Sequence, residues 1–210
     1  MIRLAIVDDH AIVRRGMRQM VGEAGDIEVV GEAADFGELT ALLRERDCDV
    51  LLLDIAMPGR NGIEVLKAVR DRHPKIRVLV LSMYPEDQYG LRSIKAGAAG
   101  YLTKSSAPEK LLGAIRQVAA GRRFITPQFA ETLAANIAEP GDRPPHEVLS
   151  DREFQTMQLI ASGRKLSEVA FELSLSPKTV SVYRARVLDK LKLRTNAELT
   201  RYAVRNGLVE

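Results

Sequence analysis

The residues of this chain that could carry chemistry are three aspartates, Asp8, Asp9 and Asp54, and a lysine, Lys104. The aspartate pair, Asp54 and Lys104 each follow a short segment with the composition of a buried strand. A carboxylate can act as a nucleophile, and several carboxylates together bind a hard divalent cation through their oxygen atoms. A lysine neutralises the charge of a transferred phosphoryl group. The combination predicts a site that receives a phosphoryl group with the help of Mg²⁺.

Asp54 shows most clearly which kind of element must position these side chains. Four branched aliphatic residues, 50–53, precede it, and Met57-Pro58-Gly59 breaks the chain shortly after it. A continuous aliphatic run is typical of a parallel strand that is buried on both faces. Because ligands of open α/β sheets bind at the carboxyl ends of such strands, Asp54 is predicted to lie in a binding crevice.

Alternating strand and helix patterns fill the first 121 residues. Apolar residues recur at helical spacing between the strand-like segments, and Gly97 and Gly121 end two of the helices. Five such units predict an α/β fold with a doubly wound parallel sheet. The predicted strands are residues 4–7, 27–30, 50–53, 78–81 and 100–103.

Length and composition limit the class of protein. A chain of 210 residues with 46% hydrophobic and 28% charged residues can form one large or two small globular domains. Its single cysteine, Cys48, excludes an internal disulfide framework. The sequence shows neither the pattern of a signal peptide nor an apolar run long enough to span a membrane. We therefore expect a cytoplasmic protein without a membrane partner.

Charge is unevenly distributed along the chain. Residues 1–149 carry 20 Lys and Arg against 21 Asp and Glu, whereas residues 150–210 carry 11 against 7. A polyanionic partner is therefore predicted to bind the C-terminal part. The basic residues between positions 178 and 194 are Lys178, Arg184, Arg186, Lys190, Lys192 and Arg194.

A linker is predicted between two domains. Residues 122–148 contain one predicted helix and, at 139–145, three prolines and a glycine. Residues 149–210 have the pattern of four short helices, which predicts a compact all-α domain. Capping boxes at residues 150–153 and 195–198 mark the starts of two of these helices.

Taken together, the strand-end motifs of residues 1–121 resemble the receiver domain of two-component response regulators. The motifs that carry the resemblance are Val7-Asp8-Asp9-His10, Asp54 with Met57-Pro58-Gly59 and Asn61-Gly62, Ser82, and Gly100-Tyr101-Leu102 before Lys104. The resemblance implies a flavodoxin-like sheet with the strand order 2-1-3-4-5. It also implies that Asp54 is the phosphoacceptor and that a sensor histidine kinase is the phosphodonor.

The same resemblance implies how Mg²⁺ would be bound. Asp9, Asp54 and the backbone carbonyl of Ala56 would hold the ion directly, and Asp8 would act mainly through water. These ligands are all oxygen atoms, which Mg²⁺ prefers in proteins.

Three further strand-end residues have roles that the resemblance implies. Lys104 would pair with the phosphoryl oxygens, and Ser82 would turn its hydroxyl toward them. Tyr101 would be the aromatic residue that changes rotamer when the domain switches. Ser105 is a departure from the family, since many receivers have proline at this position.

Residues 149–209 resemble the LuxR-type helix-turn-helix domain, and the whole chain resembles the NarL/FixJ subfamily of response regulators. The motifs are Leu149-Ser150, Arg152-Glu153, Ile160-Ala161, Gly163, Val169-Ala170, Leu175-Ser176, Lys178-Thr179-Val180 and Lys190-Leu191. A helix-turn-helix unit places its second helix in the major groove of DNA. The helix that starts at Pro177 is therefore the predicted recognition helix.

The resemblance implies which residues of this helix contact DNA. Ser181, Val182 and Ala185 would face base edges. The residues predicted to lie nearer the phosphate backbone are Lys178, Thr179, Tyr183, Arg184 and Arg186, with Lys190 added to the DNA-binding set. Tyr183 stands where a histidine is frequent in the family.

The predicted function is a transcriptional regulator that is switched by phosphorylation and is not an enzyme. Homodimers are expected to bind paired half-sites on double-stranded DNA, because one recognition helix covers few base pairs. One alternative is a phosphorylation-independent DNA-binding regulator whose receiver domain only dimerises. Another is a phosphatase with Asp54 as nucleophile, which would need a second carboxylate at the position of Ala56. A nucleotide-binding protein is disfavoured, since the sequence lacks a glycine-rich phosphate loop.

Overall fold

The computed structural model describes residues 1–57, 59–138 and 144–209. It forms two compact units. The first contains residues 1–57 and 62–132, and the second contains the described residues 59–61 and those from 133 onward. Each unit has its own hydrophobic core and is described by itself.

A five-stranded parallel sheet forms the centre of the first unit. Its strand order is β2-β1-β3-β4-β5, which confirms the predicted topology. Leu53 pairs with Val7 on one side and with Val80 on the other, so the three central strands end side by side. The strands are β1 (Ile2–Val7), β2 (Ile27–Ala33), β3 (Val50–Leu53), β4 (Arg77–Ser82) and β5 (Gly100–Thr103).

Helices connect the strands and bury the sheet. All four residues of β3 are at most 1% exposed, so this strand is buried on both faces, as its aliphatic composition predicts. On one face, Leu4, Ile6 and Leu52 share a core cluster with Met17 and Leu111, which lie on the first and fifth helices. The helices of this unit are α1 (Ala11–Gly22), α2 (Phe36–Glu45), α3 (Gly62–Arg72), α4 (Glu86–Lys95) and α5 (Pro108–Ala119).

The second strand is longer than its apolar pattern predicts. β2 continues to Ala33, whereas the sequence predicts an end at position 30. It lies at the edge of the sheet and is only partly buried along most of its length, so the polar residues Glu28 and Glu32 are accommodated there. Edge strands are less apolar than central ones, and periodicity alone therefore underestimates them.

The chain beyond Gly121 continues to pack on the first unit. Phe124 donates its backbone N–H to Ala99 O at 2.9 Å and pairs with the start of β5. Helix α6 (Pro127–Ala138) follows, and Thr126 Oγ1 donates to Glu86 Oε2 on α4 at 2.6 Å. Phe129, at the start of α6, is buried. The compact unit thus extends to residue 132, beyond the boundary at 121 that the sequence predicts.

The predicted linker is only partly described by the structure. Of its proline-rich segment 139–145, residues 139–143 lie outside the described residues. A short 3₁₀ helix occupies Pro145–Val148, within the second unit, and precedes its first long helix.

Four α-helices lie in the described residues 149–209 of the second unit, as predicted. Its core includes seven apolar side chains that are almost completely buried: Phe154, Met157, Val169, Val180, Val187, Leu199 and Ala203. The helices are α7 (Asp151–Ala161), α8 (Leu166–Glu172), α9 (Pro177–Lys190) and α10 (Asn196–Arg205).

Helix caps fix where these helices begin. The predicted capping box at Ser150 is confirmed, since Ser150 Oγ accepts from Glu153 N and Glu153 Oε2 accepts from Ser150 N. The second predicted box is only half formed. Thr195 Oγ1 accepts from Glu198 N at 3.2 Å, but Glu198 Oε2 accepts from Arg194 N instead of closing on Thr195. Within the described ranges, no helix is both long enough and apolar enough to span a membrane.

Candidate functional site

Buried charges meet at the carboxyl ends of the central strands. Lys104 Nζ lies 2.6 Å from Asp8 Oδ2 and 2.7 Å from Asp54 Oδ2. Both carboxylates are almost completely buried. The strand register explains the meeting, because Asp8 follows Val7 and Asp54 follows its pairing partner Leu53. The structure therefore brings together three of the residues predicted to form the phosphoacceptor site.

Each of the two buried carboxylates also accepts a hydrogen bond from a backbone amide. Asp54 Oδ1 accepts from Ala56 N at 2.8 Å, and Asp8 Oδ1 accepts from His10 N at 2.8 Å. Each aspartate thus presents one oxygen to the loop that follows it and the other to Lys104. Asp9 is more exposed, and its Oδ1 lies 3.0 Å from His10 Nδ1.

The same residues fit a divalent cation. One ligand atom each from Asp8, Asp9, His10 and Asp54 lie within 4.8 Å of one another. Three of the four are carboxylate oxygens, which suits a hard ion such as Mg²⁺. Sequence reasoning did not single out His10 as a possible ligand, although it directly follows the aspartate pair.

Burial changes the pKa values of Asp54 and Lys104. Desolvation raises the pKa of Asp54 above its ordinary value and outweighs Lys104 and the Ala56 amide, which both lower it. For Lys104, desolvation lowers the pKa, but its hydrogen bonds to Asp54 and Asp8 outweigh this and leave the pKa raised. Ionised Asp54 is therefore less favourable in the folded chain than in water.

We expect Asp54→Asn to be more stable than the wild type at pH 7 in metal-free buffer with EDTA. A carboxyl group whose folded-state pKa is raised loses its contribution to stability as the pH rises through that pKa. The advantage of the variant should accordingly grow as the pH rises above the ordinary value of 3.8. Urea unfolding at several pH values measures it.

Asp26→Asn is the matched control for this pH dependence. Arg116 lowers the pKa of the exposed Asp26. Asp26→Asn should therefore make the chain less stable at pH 7, and only slightly, because the pair is exposed. Equal stability of Asp54→Asn and the wild type at every pH would contradict the expected cost of the buried charge.

The two predicted switch residues lie in the core next to the charged cluster. Ser82 and Tyr101 are at most 1% exposed, and both bind the backbone of Tyr84. Ser82 Oγ accepts from Tyr84 N at 3.1 Å, and Tyr101 OH donates to Tyr84 O at 2.8 Å. Burial also raises the pKa of Tyr101. No role for Tyr84 was predicted from the sequence; the centroid of its ring lies 4.8 Å from that of Tyr89 on α4.

Helix α9 in the second unit presents most of the predicted DNA-contacting side chains to solvent. Val180, Val187 and Leu188 are buried on its inner face. The exposed side chains are Lys178, Ser181, Val182, Ala185 and Arg186, with Thr179, Tyr183 and Arg184 partly exposed.

Three polar side chains of α9 also have partners within the second unit. Thr179 Oγ1 lies 2.8 Å from the capping hydroxyl of Ser176, and Arg184 Nε donates to Asn196 Oδ1 at 2.6 Å. Lys190 Nζ donates to the buried Glu153 at 2.6 Å. Lys190 therefore ties α9 to α7, and its contact with DNA stays a prediction.

The environment of Glu153 strengthens this structural role of Lys190. Desolvation raises the pKa of Glu153, but Lys190 and Ser150 together outweigh it and keep the pKa below its ordinary value. Glu153 is thus held as an anion between the capping box and α9.

Comparisons with known proteins identify both units. The family model of the response regulator receiver domain matches residues 4–116. The model of the luxR family of bacterial regulatory proteins matches residues 147–203. The chain belongs to the two-component response regulators. This combination of domains confirms the predicted NarL/FixJ subfamily.

Relatives of this response regulator share its full length. The response regulator GacA of Pseudomonas aeruginosa is 40% identical, over 100% of this chain and 99% of GacA. RcsB from Salmonella enterica serovar Typhimurium, solved bound to promoter rprA with the phosphomimetic BeF₃⁻, is 27% identical, with a TM-score of 0.67 over 96% of this chain and 97% of RcsB. A structure of two RcsB dimers on two parallel DNAs is also 27% identical, with a TM-score of 0.59 over 97% and 98% of the two chains.

Proposed function

We propose that this response regulator is a cytoplasmic transcription factor whose DNA binding is controlled by phosphorylation of Asp54. The observation that carries the proposal is the ammonium group of Lys104, which bridges the buried carboxylates of Asp8 and Asp54. The chain contains a response regulator receiver domain and a domain of the luxR family of bacterial regulatory proteins, which supports the proposal.

The proposed phosphoryl transfer starts from a phosphohistidine of a sensor kinase. An oxygen of Asp54 attacks the phosphorus atom, the phosphorus–nitrogen bond breaks, and the imidazole leaves with the electron pair. Lys104 is placed to neutralise the negative charge of the transferred group, since its ammonium group already contacts the attacking carboxylate. The product is an acyl phosphate on Asp54.

Asp9, Asp54 and the Ala56 carbonyl would hold Mg²⁺ directly in this proposal, and Asp8 would act through water. The ion supplies positive charge that neutralises the transferred phosphoryl group. Ala56 also argues against turnover, because a phosphatase of this kind would need a second carboxylate at this position. We therefore propose that the chain receives the group and is not an enzyme.

The backbone of Tyr84 links the loop before α4 to both predicted switch residues, so this loop is expected to respond to phosphorylation. Its backbone N–H is held by Ser82 and its carbonyl by Tyr101. A new anion on Asp54 would attract the hydroxyl of Ser82 and free the Tyr84 amide. The loop would then be biased toward a second conformation, which we propose favours the homodimer.

DNA binding is assigned to α9, which would enter the major groove with Ser181, Val182 and Ala185 toward base edges. Structures of RcsB bound to a promoter, and of RcsB dimers bound to DNA, support DNA binding by the C-terminal part of this chain. A homodimer would place two such helices on paired half-sites.

The proposal is tested by intact-protein mass after incubation with acetyl phosphate, with and without Mg²⁺. We expect the mass of one phosphoryl group to be added only with Mg²⁺, and sedimentation velocity should show a larger dimer fraction in that sample. If the folded chain gains no mass in the presence of intact donor and Mg²⁺, the proposed phosphoacceptor site is contradicted.

Replacing Arg186 by Ala should weaken binding to a random-sequence 30-bp DNA duplex. Arg186 is an exposed cation on α9, and a contact between it and a phosphate releases a counterion on binding. We expect the slope of log affinity against log salt to fall by about one in magnitude. Fluorescence anisotropy at several salt concentrations measures the slope.

Arg46→Ala controls for the loss of one positive charge, because Arg46 is exposed on the first unit, which carries no recognition helix. Its slope should match that of the wild type. An unchanged slope for Arg186→Ala would remove Arg186 from the DNA-binding surface.

A further inference from the structure

We propose that Arg14 is a positioning residue for the aspartate pair that would hold Mg²⁺. This inference rests on the proposed phosphoacceptor function. It concerns the outside of the site, where the guanidinium group of Arg14, on α1, donates to the backbone carbonyl of Asp8 at 2.6 Å. Arg14 has no contact with the reacting carboxylate in this arrangement and acts through the backbone.

Asp8 needs such a donor because the sheet ends here. Its N–H still pairs with Ala33 O on β2 at 3.1 Å. On the other side, Asp54 N donates to Val7 O, and Ala56 N, two residues further on, donates to Asp54 Oδ1. The carbonyl of Asp8 therefore obtains its hydrogen bond from a side chain, and a bond from a charged donor is stronger than one from an amide.

Arg14 is itself held in place by the edge strand. Its Nε lies 3.4 Å from Glu32 Oε2, and Arg18 Nη1 lies 3.0 Å from Glu32 Oε1. The side chain of Arg14 is only 17% exposed. Glu32 is on β2 opposite Ile6 of β1, so one carboxylate fixes the arginine relative to both strands.

The hydrogen bond orients the carboxylates through the short turn that they share. Asp8 Oδ1 accepts from His10 N at 2.8 Å, so the turn from Asp8 to His10 is closed on its inner side. Arg14 closes it on the outer side by holding the Asp8 carbonyl. If that carbonyl were released, the peptide between Asp8 and Asp9 could rotate, and both carboxylates would change direction. Groups that orient metal ligands in this way typically change metal affinity by about 10–100-fold.

A direct metal-binding measurement tests the role of Arg14. Mn²⁺, which replaces Mg²⁺ at oxygen sites and is visible by EPR, is titrated into the full chain and then displaced by Mg²⁺. We expect Arg14→Ala to raise the dissociation constants of both ions roughly tenfold. Arg14→Lys should recover part of the affinity, because lysine can donate to the carbonyl but cannot also reach Glu32 as a guanidinium does.

Arg18→Ala is the matched control. Arg18 also pairs with Glu32, but it is more exposed and, among the described contacts, makes none with the Asp8 carbonyl. The affinity of Arg18→Ala for Mn²⁺ should therefore stay within about twofold of the wild type. Phosphoryl uptake from acetyl phosphate gives a second readout. The rate for Arg14→Ala should fall at low Mg²⁺ and recover at saturating Mg²⁺, because positioning affects ion binding more than transfer.

The outcomes separate this inference from the proposed function. A wild type that binds neither ion overturns the proposed function itself. A wild type that binds Mn²⁺, with Arg14→Ala binding equally well, overturns only the role of Arg14. If Arg14→Ala does not fold, Arg14→Lys and Glu32→Gln carry the test, and wild-type affinity in both overturns the inference.

Discussion

Asp54→Asn is expected to abolish phosphoryl uptake from acetyl phosphate while the chain stays folded. The substitution keeps the shape of the side chain but removes the nucleophilic oxygen, and an amide does not form an acyl phosphate. Both Asp8 and Asp54 contact Lys104, but only Asp54 follows the buried strand at the centre of the sheet, next to the Ala56 loop. Intact-protein mass in the presence of Mg²⁺ measures the uptake.

Asp49→Asn is a suitable control for this experiment. Asp49 is also an aspartate next to β3, but it pairs with Arg3 near the opposite end of the strand. It should take up the phosphoryl group as the wild type does. Uptake by Asp54→Asn at the wild-type rate would mean that another group, such as Asp8 or Asp9, is the acceptor.

Gly62→Ala should destabilise the first unit strongly. A Cβ atom at Gly62 would lie 2.8 Å from Ile55 Cβ and 2.9 Å from Ile55 O, and it would also collide with Ile55 Cα. Because these are mostly backbone atoms of the residue that follows Asp54, they cannot move away without displacing Asp54 as well. We expect a loss of about 3 kcal/mol in the free energy of unfolding, the upper part of the range for overpacked sites.

Gly16→Ala provides the opposite case. Gly16 lies within α1, and a Cβ atom there would meet nothing within 4 Å. Alanine in a helix is about 0.5–1 kcal/mol more favourable than glycine, so this variant should be slightly more stable. Urea unfolding measures both variants. Equal stability of Gly62→Ala and the wild type would show that the Asp54 loop can withdraw from α3 without cost.

The sequence was sufficient to predict the sheet and the meeting of Asp8, Asp54 and Lys104. Continuous aliphatic runs identify central parallel strands, and their carboxyl ends must lie at one edge. Polar residues at the ends of successive strands are then brought together by topology. The prediction also needed the strand order, which the resemblance to receiver domains implied, but it needed no side-chain detail.

Interactions that depend on side-chain direction could not be predicted in this way. Arg14 belongs to the polar stripe of an amphipathic helix, and its bond to the Asp8 carbonyl becomes visible only when α1 is placed beside β1 and β2. Tyr84 contributes through its backbone, which carries no sequence signal. Lys190 looks like any other basic residue of α9 until its distance to Glu153 is known.

The segment after Gly121 was underestimated for a related physical reason. Its contact with β5 is a single backbone pairing at Phe124, too short to produce a period of two in the sequence. Phe129 lies on the apolar face of a predicted short helix, but the sequence pattern does not show which surface covers that face. The structure shows that Thr126 anchors this helix to Glu86 on α4.

DNA affinity with and without phosphorylation is the measurement that decides the proposed switch. A duplex enriched from a random pool by the wild type with acetyl phosphate and Mg²⁺ would be titrated against the wild type and Asp54→Asn, each with and without the donor. We predict a gain of about tenfold for the wild type with donor, which is within the usual range of coupling between sites, and no gain for Asp54→Asn. Equal affinity under all four conditions would contradict the switch and favour a phosphorylation-independent DNA-binding regulator.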